Sequence, residues 1–212
     1  MTVRFILAEL AGCLITLTNC QPHSTKPKKG INSTAMTEHQ PFDLVARLDG
    51  CEIRYYPKYV LVQVKTKGEF NSAASRAFRP LVNYISGRNK AGSQFAMTAP
   101  VIHSPNPQAT EHLVSFVLPA GTELKDIPLP VDAEVKCVEV APHYAAAIKF
   151  RGLASYEHFN SLGMKLREIT KKAGLKTLGD PYYARFDPPW KPGFLRHNEA
   201  LIALENYPSK GK

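Results

Sequence analysis

The chain has 212 residues, of which 44% are hydrophobic and 21% are charged, a composition typical of a soluble globular protein with a substantial core. Its 27 Lys and Arg residues outnumber 18 Asp and Glu residues, which gives a formal net charge of +9 and favours anionic partners. The densest basic run, Lys26 to Lys29, lies in a predicted linker, so we expect a small-molecule ligand and no nucleic acid. The four cysteines form no C-x-x-C pair and no zinc-ligand pattern, which excludes the common zinc motifs.

Residues 1–35 are expected to form an extension outside the fold. Arg4 precedes an apolar stretch, residues 5–18, that is too short to span a bilayer but resembles a secretion signal. Cys20 would then be a candidate for lipid attachment. The alternative is that translation begins at Met36. We favour Met36 and a cytoplasmic protein, and we expect membrane contact only if the extension is a lipoprotein signal.

A repeated pattern predicts one domain, residues 36–208, built from two half-repeats at about 42–120 and 133–206. In each half a strand reaches a Pro-x-Tyr sequence, Pro57–Tyr59 or Pro142–Tyr144, and returns as a second strand. The return strands end at Gly68 and Gly152. A helix and a further pair of strands follow in both halves.

The first return strand, residues 60–67, alternates apolar and polar side chains, which is typical of a half-buried strand. The first helix is predicted over about Asn71–Ser86, with Gly87 as its stop and Pro80 inside it. Its predicted core face has helical spacing. The members of that face are Ala74, Ala77, Phe78, Leu81, Tyr84 and Ile85.

Two strands are predicted next, Gln94–His103 and His112–Leu118, separated by a turn at residues 104–107. The second helix begins after Ser155, which is predicted to cap it, and ends at Gly174. Its apolar stripe is Phe159, Leu162, Leu166, Ile169 and Ala173. The last strands are Tyr182–Phe186 and Ala200–Leu204.

These elements predict an α+β fold with pseudo-twofold β-β-α-β-β units. The strands would form either two antiparallel sheets or one continuous sheet, with both helices packed on one side. A cleft between the halves is the usual place for a ligand in such a body.

Five short motifs resemble those of the SOUL/haem-binding protein family. They are Glu52–Pro57 (EIRYYP), Tyr84–Asn89 (YISGRN), Met97–Val101 (MTAPV), Asp187–Pro192 (DPPWKP) and Arg196–Glu199 (RHNE). The resemblance extends from about Phe42 to Glu205. It implies a fold related to the small-molecule-binding domains of regulator proteins. It also implies reversible binding of haem or another tetrapyrrole, as a buffer, carrier or sensor.

In this family the haem lies along the first helix, beside its core face. Carried onto this chain, that surface consists of Ser75, Phe78, Arg79 and Val82. Phe78 and Val82 would supply apolar contacts. Arg79, or Arg76 one step round the helix, would pair with a propionate. The alternative for both arginines is ordinary solvated charge on a helix.

Other parts of the chain add to the implied site. Lys191 matches a family position near the propionates, and Trp190 beside it would cover the macrocycle edge. Met97 either contacts haem or fills the core as part of a bulged strand. The iron ligand stays open, because some members use a histidine and others none. His103 is the one histidine expected near the site.

Two alternative functions remain from the sequence. One is a general binder of flat hydrophobic molecules, as in the regulator-type relatives. The other is a cleft hydrolase of the related fold, for which Tyr55, Tyr59, Tyr144 and Glu199 are candidates. No catalytic motif supports enzyme activity. Arg196 and Glu199 are predicted to form an ion pair that fixes the last strand.

Overall fold

The computed structural model describes residues 37–106, 110–153 and 155–207. The predicted N-terminal extension lies outside these ranges. No helix within them is long and apolar enough to cross a membrane.

The first strands are β1 (Glu38–His39), β2 (Asp43–Leu48), β3 (Cys51–Tyr56) and β4 (Tyr59–Lys67), followed by helix α1 (Phe70–Ile85). Next come β5 (Thr98–Ala99), β6 (Val101–Asn106), β7 (Glu111–Val117), β8 (Val135–Val140) and β9 (His143–Arg151). The chain continues with helix α2 (Tyr156–Lys172), β10 (Thr177–Arg185) and β11 (His197–Leu204).

One sheet of nine antiparallel strands forms the body of the protein, in the order β2-β3-β9-β11-β10-β6-β7-β4-β8. Of the two arrangements that the sequence allows, the continuous sheet is the one found. Strand β3 lies beside β9 of the later half of the chain, and β8 lies beside β4 of the earlier half. A separate parallel pair joins β1 to β5.

Both helices pack on one side of this sheet, which we call the helix face. Helix α1 covers the valines of β4 at positions 60, 62 and 64, and α2 covers Ile148 and Ile202 of β9 and β11. The alternate residues of the same strands point to the other side, which we call the cleft face. Ala145, Ala147 and Leu201 lie there. Both faces are therefore apolar in the middle strands, and the α+β class is confirmed.

Helix α1 is rotated slightly from the predicted orientation. Its buried stripe passes through Ala73, Ala77, Leu81 and Tyr84, which follow helical spacing. Phe78 was predicted to belong to the core, but it is 44% exposed. The reason is that Ala73 takes the inward position instead of Ala74, so Phe78 falls at the edge of the buried stripe. Gly87 follows the helix with φ of 101°, as expected for a stop.

Helix α2 begins as predicted. The Ser155 hydroxyl accepts a hydrogen bond from the backbone N–H of His158 at 3.2 Å, which confirms the N-cap. Phe159 and Leu166 of this helix are fully buried against the sheet. The predicted stripe is too long at its end, because Ala173 is the exposed C-cap residue.

The single strand predicted for Gln94–His103 is wrong. Only Thr98–Ala99 and Val101–Asn106 pair as strands, and β6 runs through residues 104–106, where a turn was expected. The Asn89 side chain binds the backbone of Ser93 through both its oxygen and its nitrogen, which holds the preceding segment in a loop. Pro100 has no backbone donor and separates β5 from β6.

Candidate functional site

The outer side of α1 carries the residues that the sequence places in the haem site. Ser75, Phe78 and Arg79 are exposed and Val82 is half-buried. We call these four residues the α1 face. The Phe78 ring packs edge-on against Phe116 of β7, with ring centroids 5.4 Å apart. The face therefore presents an anchored aromatic ring to solvent, flanked by one guanidinium.

The basic groups near this face differ in their availability. Arg76 donates a hydrogen bond to the Lys67 carbonyl, so its guanidinium is turned toward the turn before α1. Lys191 is paired with Asp187 at 2.7 Å. Within the described ranges, Arg79 makes neither a hydrogen bond nor an ion pair. Arg79 is therefore the cation best placed to meet an anionic ligand group here.

Strand register places the ends of β10 and β6, from which the segments with Lys191 and Met97 extend, beside Phe116 of β7. Arg185 of β10 pairs with Val101 of β6, and Val101 pairs with Phe116 of β7. Adjacent strands are about 4.8 Å apart, so the backbones of Arg185 and Phe116 are about 10 Å apart. The loop that holds Lys191 begins two residues after Arg185. Met97, which is 39% exposed, lies four residues before Val101.

His103, the candidate iron ligand, is fully buried and lies beneath α1. Its ring stacks on Phe70 with centroids 4.1 Å apart. Its Nε2 lies 3.0 Å from Nδ1 of His112, and its Nδ1 accepts a hydrogen bond from Arg185 at 3.3 Å. Both ring nitrogens are thus engaged inside the protein. His103 is not placed to reach an iron atom on the α1 face.

The tautomers of the two histidines follow from their neighbours. Nε2 of His112 lies 2.7 Å from the Gly68 carbonyl, so it must carry the proton and donate. Nδ1 of His112 then accepts from Nε2–H of His103. Burial, together with the positive charge of Arg185, lowers the pKa of His103 to about 3. The ring of His103 is therefore neutral near pH 7. No cluster of three metal-binding side chains occurs in residues 37–207 as far as they are described.

A shallow cleft lies on the other side of the sheet. It is lined by Gln40, Phe42, Arg54, Tyr56, Tyr59, Pro100, Ile102, Tyr182, Ala184, Phe186, Glu199 and Leu201. Its cavity volume is about 20 Å³, room for about one water molecule, so its own side chains nearly fill it. Of the four residues that the sequence offers as hydrolase candidates, Tyr59 and Glu199 line this cleft. Tyr55 and Tyr144 instead pack against each other on the helix face, with tilted rings whose centroids are 5.2 Å apart.

The centre of the cleft is the fully buried Arg54. Its guanidinium binds both oxygens of Glu199, at 2.6 and 3.0 Å. It also donates twice to Glu52, at 3.0 and 2.8 Å, and once to the Tyr56 hydroxyl at 3.0 Å. All five N–H donors of Arg54 are thus occupied. Phe42 covers the guanidinium face at 4.2 Å.

Glu199 is held as a carboxylate in this network. Burial opposes its ionisation, but hydrogen bonds from His197 and Arg54 outweigh that effect and lower its pKa. Burial also raises the pKa of Tyr56 to about 12, so the phenol stays protonated. A carboxylate bound to a bidentate arginine is a weak base. The arrangement favours a structural ion pair over a pair of acid and base catalysts.

The sequence predicted the wrong partner for Glu199. Arg196 does not reach it and instead donates to the backbone carbonyls of Lys191 and Pro189. Arg54 was missed because it lies 145 residues from Glu199 in the chain and occupies a strand, where an arginine normally points to solvent. No local pattern in the sequence indicates the ion pair between Arg54 and Glu199.

Comparison with known proteins settles the family. A family model for the SOUL heme-binding protein matches residues 37–203. The chain belongs to the SOUL haem-binding protein family. The matched span includes the whole α1 face, Met97 and Lys191. No curated protein matches this SOUL family member.

Solved structures of low sequence identity share its fold. The C-terminal domain of EcmrR is 9% identical, with a TM-score of 0.58, and the match covers 74% of this chain and 98% of that domain. An EcmrR–DNA complex is 10% identical, with a TM-score of 0.57, and covers 74% of this chain but 57% of the EcmrR chain. A hydrolase from Listeria innocua is 11% identical, with a TM-score of 0.51, covering 76% and 94%. At these identities the likeness establishes the fold of the SOUL domain alone.

Proposed function

We propose that this protein binds haem or a related tetrapyrrole reversibly on the α1 face, as a buffer, carrier or sensor. The observation that carries the proposal is the exposed Phe78 ring beside the unpaired Arg79, in a chain that belongs to the SOUL family. A tetrapyrrole has a flat apolar body and carboxylates at its edge. The exposed Phe78 ring can contact the apolar body, and the available Arg79 guanidinium can pair with a carboxylate.

Each residue has a distinct role in this proposal. Phe78 and Val82 contact the macrocycle from α1, and Met97 offers a flexible, polarisable contact beside them. Arg79 pairs with a carboxylate of the ligand. Lys191 is a second cation, which must first exchange its bond to Asp187. Ser75 is small and leaves room for close approach to the helix. Arg76 contributes less, because the Lys67 carbonyl already holds it.

The ligand and the protein contribute different parts of the chemistry. Bound haem would supply an iron centre, whereas the residues of the α1 face bind and orient the macrocycle. None of the histidines in the described ranges is assigned to the iron. We therefore propose weak or absent axial ligation by the protein, which suits reversible binding.

A hemin titration of the full-length protein, followed by absorbance, tests the proposal. We expect a saturable change at one equivalent and a Phe78→Asp variant that binds at least about tenfold more weakly, because an aromatic contact contributes more than about 1.4 kcal/mol. The matched control is Leu129→Asp, which makes the same kind of change at an apolar side chain that is 67% exposed and lies outside the site.

Unchanged affinity in a folded Phe78→Asp protein would refute the α1 site. Circular dichroism of both variants decides whether they are folded. Absorbance changes that never saturate, and that match those of an unrelated basic protein, would refute haem binding as a whole.

The second candidate function is binding of flat hydrophobic molecules in the cleft. It is favoured by the aromatic walls that Tyr59, Tyr182 and Phe186 form there. Because the cavity is small, Phe42 would have to move from Arg54 before a ligand could enter. Aromatic dyes that still bind the Phe78→Asp variant, and that hemin does not displace, would indicate this site.

A further inference from the structure

A group of apolar side chains protrudes from one end of the sheet, and neither candidate function uses it as a whole. The group consists of Leu153, Trp190, Phe194 and Leu195, which are 70%, 83%, 74% and 42% exposed. We call it the apolar tip. In soluble proteins, a group of exposed apolar side chains usually marks a binding surface.

Two loops build the tip, and they are joined to each other. One follows β9 at Gly152, and the other connects β10 to β11. The backbone N–H of Gly152 donates to the Arg196 carbonyl at 3.0 Å. Gly193 lies against Leu153 so closely that a Cβ at this position would be 2.6 Å from Cδ2 of Leu153. The exposed side chains of the two loops therefore form one surface.

Several backbone groups of the longer loop are paired within the loop. The N–H groups of Lys191, Leu195 and Arg196 donate to carbonyls within the loop at 3.1, 2.9 and 3.1 Å. The Arg196 side chain donates to the Lys191 carbonyl at 2.8 Å. Prolines at positions 188, 189 and 192 have no N–H to satisfy. Such a loop can enter a medium of low polarity without leaving these donors unpaired.

Cationic side chains lie beside the tip and within it. Arg151 is exposed beside Gly152, and Lys191 and Arg196 lie within the longer loop. The carboxylate of that loop, Asp187, is already bound to Lys191 and to the backbone N–H of His197. The whole chain has a formal net charge of +9. Aromatic side chains next to cations match the boundary between acyl chains and anionic headgroups.

We propose that the apolar tip docks the protein on an anionic lipid surface, with Leu153, Trp190 and Phe194 entering the headgroup boundary. The small size of the tip favours a lipid surface over a protein partner. The tip offers four apolar side chains, whereas a stable protein interface buries about 800 Å² on each partner, about 20–30 residues. The docking requires no bound tetrapyrrole, so it goes beyond the proposed function.

Trp190 is the only tryptophan in the chain, so its fluorescence reports on the tip alone. The experiment mixes full-length protein with phosphatidylcholine vesicles that contain or lack phosphatidylserine, with and without brominated acyl chains. We expect a blue shift and bromine quenching of Trp190 with the anionic vesicles. The effect should fall at about 1 M salt, where the Debye length is about 3 Å.

Matched variants locate the contact. A Leu153→Glu/Phe194→Glu double variant should require at least about tenfold more lipid for the same quenching, since two apolar side chains no longer transfer. The control variant Leu129→Glu/Val131→Glu makes the same change at two apolar side chains outside the tip, each 67% exposed. It should need the same amount of lipid as the original protein for the same quenching. Both variants keep Lys191 and the α1 face, so hemin binding and circular dichroism show that they are folded.

Three results would overturn the proposal. The first is emission of Trp190 that stays unshifted and unquenched at saturating anionic lipid. The second is equal quenching of the original protein and the tip variant. The third is equal quenching by neutral and anionic vesicles. Sedimentation with vesicles but without quenching would mean that another part of the chain binds lipid, and it would also count against the tip.

Discussion

Arg54 is a fully buried cation whose five donors are all occupied, and Glu199 supplies the closest of its partners at 2.6 Å. Removing the charge of Glu199 leaves the guanidinium buried with less compensation. We expect Glu199→Gln, which keeps the size of the side chain, to lower the free energy of unfolding by about 3 kcal/mol. Urea unfolding at pH 7, followed by circular dichroism, measures this difference.

The control for this change is Glu168→Gln. Glu168 pairs with Lys172 at 2.7 Å on the surface of α2, where water screens the pair. Its loss should change the unfolding midpoint little. Equal effects of the two substitutions would show that the Arg54 network contributes no more than an exposed ion pair does.

The same residues show how far the sequence predicts a site. The α1 face could be named from the sequence because helical spacing decides which side chains share one side of a helix. The pairing of Arg54 with Glu199 could not, since it depends on the register of β3, β9 and β11. That register places Ala147 opposite both Glu52 and Leu201. Because Ala147 is small, the ion pair can cross the middle strand β9. This arrangement depends on the paired strands together and leaves no pattern in any single stretch of the sequence.

At the scale of elements, α2 lies close against the sheet at Gly163. A Cβ at this position would lie 2.9 Å from two atoms of the Pro181 ring, which cannot move aside easily. Gly→Ala normally stabilises a helix interior by about 1 kcal/mol. Here we expect Gly163→Ala to destabilise the protein by about 1 kcal/mol instead, because the clash outweighs the gain. Thermal and urea unfolding provide the measurement.

Ser161→Ala, two residues earlier on the exposed side of α2, is the matched control. It carries the gain in helix propensity without the clash, so it should be neutral or slightly stabilising. If Gly163→Ala also stabilised the protein, the contact with Pro181 would be looser than the structure shows.

The elements themselves were predictable to different degrees. The ends of α2 follow from Ser155 and Gly174, because capping is local chemistry. The segment before β6 does not follow from its residue types. Its β-branched and aromatic residues favour a strand, yet Asn89 and Pro100 hold most of it outside the sheet. The side-chain hydrogen bonds of Asn89 and the missing donor of Pro100 overrode the strand preference of the residues between them.

At the scale of the whole molecule, His103 lies where the two halves of the chain meet. Its strand, β6, pairs with β10 of the later half, and its ring stacks on Phe70 of α1. Phe70 in turn contacts Phe159 of α2, with centroids 6.0 Å apart. Protonating His103 would place a second positive charge beside Arg185 in this shared core. The stability of both halves therefore depends on His103 staying neutral.

This arrangement predicts how stability changes with pH. The pKa of His103 is lowered to about 3 in the folded protein, whereas an unfolded histidine titrates near about 6.5. Between these values the unfolded chain binds the proton more strongly. His103 therefore contributes its full stability above about pH 6.5, and this contribution falls by up to about 1.4 kcal/mol for each pH unit as the pH decreases toward 3.

A His103→Gln variant removes this titration but still provides a donor and an acceptor. Its free energy of unfolding should be lower at pH 7 and should depend less on pH between 6.5 and 4.5 than that of the original protein. Part of the slope will remain, because burial also lowers the pKa of His143. Below about pH 4.5 both proteins should lose further stability through Glu199, because burial raises the pKa of its carboxyl but hydrogen bonds from His197 and Arg54 outweigh that effect and lower it. Urea unfolding at half-unit pH steps, with exposed His158→Gln as the control, makes the comparison. Parallel pH profiles for His103→Gln and the original protein would show that His103 is not the group that links the shared core to acid.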